Sequence, residues 1–147
     1  MKLICTNKKA NFEYFLLDKY EAGIVLTGDE IKSIRAGHIS INESFVYVKD
    51  GEVWLKNAYI KSYDKGYNSS RKKTNERVDR KLLLHKKEIV KIQKDIQQEG
   101  LTIVPTKVYF EGSLVKVEIA IAKGKKLYDK RETKKKQDEE RRISRED

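Results

Sequence analysis

The chain has 147 residues, of which 38% are charged, and a net charge of +10 at neutral pH; this length predicts one domain with its own core. The positive charge is concentrated in residues 65–87, with a net charge of +7, and in the last 25 residues, with a net charge of +4. Two basic regions on an otherwise balanced body favour a nucleic-acid partner. Because Cys5 is the single cysteine and no apolar run suits a membrane span or signal peptide, we expect a cytoplasmic protein without a membrane partner.

The first third of the chain predicts strands followed by one capped helix. Residues 12–26 mix aromatic and β-branched side chains around Glu21-Ala22-Gly23, which predicts two short strands joined near that turn. Thr27 and Glu30 then have the spacing of a capping box. A short helix should follow, with a left-handed stop at Gly37.

Two hairpins and a second helix are predicted further along. Residues 45–48 and 53–60 flank an Asp-Gly pair at 50–51, a strong hairpin signal. Residues 63–79 are polar and predict an exposed, mobile loop. Isoleucines at helical spacing predict a helix over 86–99 closed by Gly100. Residues 101–110 and 114–122 form the second hairpin, with Pro105 marking an edge strand or a bulge.

These elements predict a mainly β fold with inserted helices. About six strands and two or three α-helices within residues 1–122 favour a small OB-like β-barrel, an architecture that commonly handles nucleic acid. Residues 123–147 contain eighteen charged side chains and few apolar ones. We expect this basic C-terminal tail to be disordered in isolation and helical when it binds a partner.

Motifs for catalysis are missing from the sequence. There is no phosphate-binding glycine loop and no nucleophile motif, and His38, His85 and Cys5 are too few for a histidine/cysteine zinc site. Asp29 and Glu30 would suit a magnesium-dependent nuclease, but helix capping explains them better. We therefore expect no enzyme activity, no metal and no cofactor.

Residues 75–85 alternate cationic side chains with three leucines. The leucines can anchor the segment on the barrel while Arg77, Arg80, Lys81 and His85 face outward toward phosphates. A solvated charged loop explains the same composition, and His85 fits either an RNA contact or a helix start. Aromatic side chains can stack on unpaired bases or pack in the core; the candidates are Phe12, Tyr14, Tyr20, Tyr59 and Tyr63. The carboxylate of Glu21 can accept from exocyclic amines or 2′-hydroxyls.

Taken together, these segments resemble the SsrA-binding protein (small protein B, SmpB) family. The matching stretches run in order along nearly the whole chain: Asn7–Ala10, Tyr20–Gly28, Glu30–Gly37, Arg80–Leu84, Gly100–Pro105, Ala122–Lys126 and Asp129–Arg131. Each motif alone is weak, whereas the ordered set is specific.

The resemblance implies an OB-like adaptor that binds the tRNA-like domain of transfer-messenger RNA. With elongation factor Tu, the family brings this RNA to stalled ribosomes for trans-translation and rescue. The tail is implied to enter the empty messenger channel near the decoding centre. We expect a monomer. A general single-stranded RNA-binding barrel is the alternative, because stacking and charge would suffice for it.

The resemblance also implies residue roles. Glu21, Gly23, Leu83 and Lys116 correspond to positions where the family's barrel meets the RNA, and the cationic residues Lys32, Arg35, Arg80 and Lys81 are added as RNA-binding candidates. The tail motif that contacts the ribosome comprises Gly124, Lys125, Lys126, Asp129, Lys130 and Arg131. Phe12 stands where many relatives have a histidine near the decoding bases, which leaves base stacking as its expected contact.

Overall fold

Nine strands and three helices follow one another in residues 1–62, 76–98 and 100–125, the part of the chain that the computed structural model describes. In chain order they are β1 (Lys2–Thr6), α1 (Lys8–Glu13), β2 (Tyr14–Ile24), α2 (Gly28–Arg35), β3 (Ile39–Ser40), β4 (Phe45–Lys49), β5 (Glu52–Lys56), β6 (Tyr59–Ile60), β7 (Arg80–Leu83), α3 (Lys86–Asp95), β8 (Leu101–Glu111) and β9 (Leu114–Gly124). Within these ranges, no helix is long and apolar enough to cross a membrane.

Six of these strands form a closed barrel. Their order is β8-β4-β5-β7-β2-β9, and the pairing of β9 with β8 closes the ring. The pairs are antiparallel throughout. β1 is added on the outside edge of β8, and β3 pairs with β6 in a separate two-stranded sheet. The predicted mainly β, OB-like barrel of about six strands with two or three helices is therefore confirmed.

Pro105 lies where β8 changes its second partner. One edge of β8 pairs with β9 along its whole length, while the other edge meets β4 at Ile103 and β1 from Lys107 to Phe110. The register with β9 shifts between Pro105 and Lys107. Proline has no N–H to donate, so a point of interrupted pairing suits it. The predicted bulge is confirmed.

The core fills the barrel and extends under two helices. Ile34 of α2 and Ile92 of α3 are fully buried against it, which explains why both helices have apolar residues at helical spacing. The largest fully buried side chains are Ile34, Ile41, Val53, Leu55, Ile60, Leu82, Ile92, Ile103, Val108, Ile119 and Ile121. Their burial fixes which face of each strand points outward.

Local turn chemistry places the two hairpins where the sequence predicted them. Asp50 and Gly51 both have positive φ, 53° and 75°, as a two-residue turn between twisted strands requires. The second turn lies at 112–113. The Thr27 capping box is also present: Thr27 Oγ1 accepts from the Glu30 N–H at 3.1 Å, and Glu30 Oε1 accepts from the Thr27 N–H at 2.9 Å.

Four expectations about elements need correction. β2 is one strand of eleven residues and not two, because it pairs with β9 from Tyr14 to Gly23. β1, α1, β3 and β7 were not predicted as elements. The predicted strand 53–60 is interrupted at Asn57, which has a φ of 67°. α3 ends at Asp95, earlier than predicted. Most of the predicted loop, 63–75, lies outside the described residues.

Candidate RNA interface

Gly23 lies at the centre of a row of residues that crosses three strands. It pairs with Leu83 of β7 on one side and with Lys116 of β9 on the other. Lys116 in turn pairs with Tyr109 of β8. The neighbouring positions Ala22, Leu82 and Val117 point into the core, so this row faces outward. The register thus brings three of the predicted RNA contacts together.

A groove lies on this face beside Gly23. Leu83 lies against the glycine, where a Cβ would stand 3.5 Å from the Leu83 Cβ, and it keeps 51% of its surface exposed. The groove has a volume of about 470 Å³. It is lined by Glu21, Gly23, Ile24, Leu26, Ile31, Leu83, Leu84, His85, Glu88, Ser113, Leu114, Val115 and Lys116. All four residues implied by the resemblance border it.

Glu21 forms the polar end of this groove. It is exposed on β2 and accepts a very short hydrogen bond from the hydroxyl of Tyr109. Burial and the hydrogen bond to Glu21 raise the pKa of Tyr109 well above its usual range, so the phenol keeps its proton at neutral pH. The next carboxylate, Glu118, lies 3.7 Å from the Lys107 ammonium and 3.9 Å from that of Lys19.

His85 joins the groove through the start of α3. It is the N-terminal cap of α3, and its N–H donates to the Glu88 carboxylate at 3.1 Å. Its exposed side chain also lines the groove. Both expectations for His85, a helix start and a position open to RNA, are therefore compatible with the structure.

Arg80 does not face outward as predicted. The alternation along β7 puts Arg80 on the same side as the core residue Leu82, and only 4% of Arg80 is exposed. Its guanidinium Nε and Nη2 each lie 2.9 Å from Glu30 Oε2. It also donates to the carbonyls of Ala58 and Glu76 at 2.9 and 3.1 Å. The sequence-based orientation was wrong, because a half-buried carboxylate and two carbonyls bind this cation.

The other residues of the β7 segment do lie outside the barrel. Lys81 is on the opposite side of the strand from Arg80, and its ammonium is 2.9 Å from Glu52. Leu83 is on the same side as Lys81 and is exposed, so only Leu82 of the three leucines anchors the segment fully in the core. The exposed Arg77 lies over the Tyr59 ring at 5.3 Å.

The two cationic candidates on α2 are exposed. Lys32 follows Ile31, which lines the groove. Arg35 instead lies over the Phe110 ring at 5.3 Å, in a second cavity with Met1, Lys2 and Gly112. Arg35 is therefore separated from the Glu21–Lys116 groove.

Glu30 is occupied by structural contacts. One of its oxygens caps α2 and the other pairs with Arg80, which leaves the nuclease hypothesis without its second carboxylate. Within residues 1–62, 76–98 and 100–125, no group of three metal-ligating side chains comes together.

The base of the predicted tail is attached to α1. β9 continues to Gly124, two residues past the boundary predicted at residue 122. The Lys125 N–H donates to the Glu13 carbonyl at 2.9 Å, and its ammonium lies 5.2 Å from the Phe15 ring centre. Phe12, on the same helix, is 66% exposed. The tail residues Lys126, Asp129, Lys130 and Arg131 lie outside the described residues, as does Tyr63.

Sequence reasoning missed Tyr109 and Leu114 at this site. A signal was present, because a turn at 112–113 fixes the hairpin register and so places Tyr109 opposite Lys116. The tyrosines at 14 and 20 are half-buried, so they are less open to stacking than Phe12.

Comparison with known proteins agrees with this geometry. The family model described as SmpB protein matches residues 4–147. The chain is 51% identical to the SsrA-binding protein of Sulfurihydrogenibium sp. (strain YO3AOP1), over 97% of this chain and 91% of that protein. It is 54% identical to the SsrA-binding protein of Mycoplasma mycoides subsp. mycoides SC, over 95% and 93%.

A solved structure is similar as well. It is described as "tmRNA-SmpB: a journey to the center of the bacterial ribosome", and one of its chains is 44% identical with a TM-score of 0.70, covering 90% of this chain and 92% of that one. The predicted family resemblance is confirmed, and the chain belongs to the SmpB protein family.

Proposed function

We propose that this chain is an RNA-binding adaptor that binds the tRNA-like domain of transfer-messenger RNA and delivers it to stalled ribosomes. The observation that carries the proposal is the convergence of Glu21, Gly23, Leu83 and Lys116 on one groove. These positions come from three strands, β2, β7 and β9, which are far apart in sequence. A cation, a carboxylate acceptor and an exposed leucine beside a bare backbone suit phosphate, base-edge and apolar contacts with folded RNA.

The adaptor does its work by binding and positioning, without catalysis of its own. The carboxylates at Glu30 and Glu118 are held by cations and hydroxyls in the fold. Transfer-messenger RNA and the ribosome are the partners, and elongation factor Tu shares the delivery complex. The protein acts as a monomer in the cytoplasm, where translation takes place.

The tail, from Lys126 on, contacts the ribosome. The contacts of Lys125 to α1 fix the point and direction in which the chain leaves the barrel. Phe12 stands on that same helix, so the tail base and the stacking side chain belong to one face. Gly124 and Lys125 fix the point at which the chain leaves the barrel. The residues that contact the ribosome are Lys126, Asp129, Lys130 and Arg131.

Competition binding tests the proposed function. The full chain is bound to a labelled tRNA-like domain, and unlabelled unstructured RNA of equal length is added in excess. We expect the complex to persist, because a groove built for a folded shape gives more than charge and stacking alone. Displacement by this excess would favour the alternative, a general single-stranded RNA-binding barrel.

Truncation tests whether the groove on the barrel and the tail have separate functions. A chain ending at Lys125 keeps all of β9 and its contact with α1. We expect it to bind the tRNA-like domain with full affinity and to lose tagging of stalled nascent chains. Equal loss of both activities would contradict the division of labour.

A further inference from the structure

We infer that Tyr109 is a positioning residue for RNA recognition: its hydroxyl holds the Glu21 carboxylate in place beside the Gly23 groove, so that the other oxygen is presented to a donor on folded RNA. This inference rests on the proposed function and adds to it a residue and the kind of RNA contact it serves.

The two side chains meet across an intervening strand. Tyr109 is on β8 and Glu21 is on β2, with β9 between them. Adjacent strands lie about 4.8 Å apart, so the pair spans two strand spacings across the sheet, about 9.6 Å. The pair is also offset by two residues along β9, because Tyr109 pairs with Lys116 and Glu21 with Glu118. The tyrosine ring therefore lies over β9, near Lys116, its partner in the ladder. Only 5% of Tyr109 is exposed, and the Lys107 ammonium is 5.9 Å from its ring.

The buried ring fixes the direction of the hydroxyl. A packed tyrosine has few rotamers available, so its O–H reaches one place on the surface. That place is Glu21 Oε2. Among the hydrogen bonds within the described part of the chain, this is the one that the Glu21 carboxylate accepts. The second oxygen, Oε1, remains for a donor outside the protein.

A carboxylate in an RNA interface needs a defined orientation to contribute to binding. It repels phosphates and can only accept hydrogen bonds. The donors that RNA offers are base N–H groups, such as those on the Watson–Crick edge of guanine, and 2′-hydroxyls. Glu21 can therefore make binding selective for a particular folded RNA, but it does not raise the affinity for RNA in general. An unfixed carboxylate would spend most of its time in other rotamers, and the hydrogen bond from Tyr109 removes that freedom.

The test variant is Tyr109→Phe, which keeps the buried ring and removes the hydroxyl. On the full chain, we expect affinity for the tRNA-like domain to fall about 3- to 10-fold, with affinity for unstructured RNA unchanged. Glu21→Ala should lose at least as much, and adding Tyr109→Phe to it should cost nothing further. Tyr47→Phe is the matched control, since it removes a hydroxyl bonded to Asp79 at 2.8 Å on β4, and it should bind as the wild type does.

A salt titration separates a positioning role from a phosphate contact. Tyr109→Phe should leave the slope of log affinity against log salt unchanged, whereas Lys116→Ala should make it shallower by about one phosphate contact. Wild-type affinity in Tyr109→Phe, or losses that add in the double variant, would overturn the inference while the proposed function stands. A wild-type chain that does not prefer the tRNA-like domain would overturn the proposed function, and the inference with it.

Discussion

Arg80 shows how one buried charge can hold several parts of a small barrel. Its guanidinium bonds to the start of α2 through Glu30, to the segment between β5 and β6 through the Ala58 carbonyl, and to the turn before β7 through the Glu76 carbonyl. Cations of this kind are tolerated inside a protein only when every donor is satisfied. We therefore expect Arg80 to maintain the shape of the site and not to contact RNA.

Replacing Arg80 should unfold the protein more easily without weakening RNA binding by the folded state. We expect Arg80→Met to lower the free energy of unfolding by about 3–5 kcal/mol, because the half-buried Glu30 carboxylate and the carbonyls of Ala58 and Glu76 would lose their donor. Urea denaturation measures this loss. Lys81→Ala, at the neighbouring exposed position, is the control and should change stability by no more than about 0.5 kcal/mol. A loss below about 1 kcal/mol for Arg80→Met would contradict the structural role.

Cys5 should be unreactive in the folded protein. Burial against β8 raises the pKa of its thiol to about 11, so at pH 8 the thiolate fraction is about 100-fold lower than in the unfolded chain. Since the folded pKa is the higher one, the stabilisation linked to this proton is complete below about pH 9 and is lost as pH rises through about 11. Labelling with a thiol reagent at pH 8, with and without urea, measures the ratio. Equal rates would show that Cys5 is open to solvent.

At the scale of elements, α2 is coupled to the barrel through Glu30, which serves two partners. One oxygen completes the capping box with Thr27 and the other pairs with Arg80. The helix begins where it does because both requirements coincide at one residue. Ile31 and Ile34 then follow, one lining the groove and the other lying in the core.

Removing the cap should therefore weaken the attachment of α2 to the barrel as well as the end of the helix. We expect Thr27→Ala to cost about 1 kcal/mol, and to cost less in an Arg80→Met background, because the two changes share Glu30. Thr27→Ser keeps the hydroxyl and should be nearly neutral. Urea denaturation of the four combinations gives the coupling, and strictly additive losses would mean that the two contacts are independent.

The elements predicted from sequence are those whose signals are local. The hairpin turn at Asp50-Gly51, the cap at Thr27 and the bulge at Pro105 depend on a few adjacent residues. β1 was missed because its five residues become a strand only by pairing with β8, about one hundred residues away. Gly23 was interpreted as part of a turn, whereas pairing on both sides keeps it extended beneath Leu83.

The site itself was predictable in part. Four of its residues came from the resemblance, and hairpin register was enough to reveal Tyr109. The orientation of Arg80 was predicted wrongly, because a cation next to leucines suggests a side chain on the protein surface. Only the period of two that puts Arg80 on the same side of β7 as Leu82, together with the ion pair to Glu30, shows that it points inward.

At the scale of the whole molecule, most of the net positive charge lies outside residues 126–147. Residues 126–147 contain nine cationic and seven anionic side chains. Their removal takes away a net charge of only +2, leaving +8 on the rest of the chain. Long-range attraction to RNA should therefore come mostly from the body.

This distribution predicts how salt affects a chain truncated after Lys125. Binding to the tRNA-like domain should keep nearly the same slope of log affinity against log salt as the full chain, because the slope counts phosphates neutralised at the barrel. Lys116→Ala on the full chain is the positive control and should reduce the slope by about 0.9 or less. Both slopes are measured between about 50 and 200 mM salt. A slope for the truncated chain that is shallower by several phosphate contacts would contradict this. It would show that the tail neutralises phosphates of the tRNA-like domain, so that the tail would belong to the interface with that RNA and not to the interface with the ribosome.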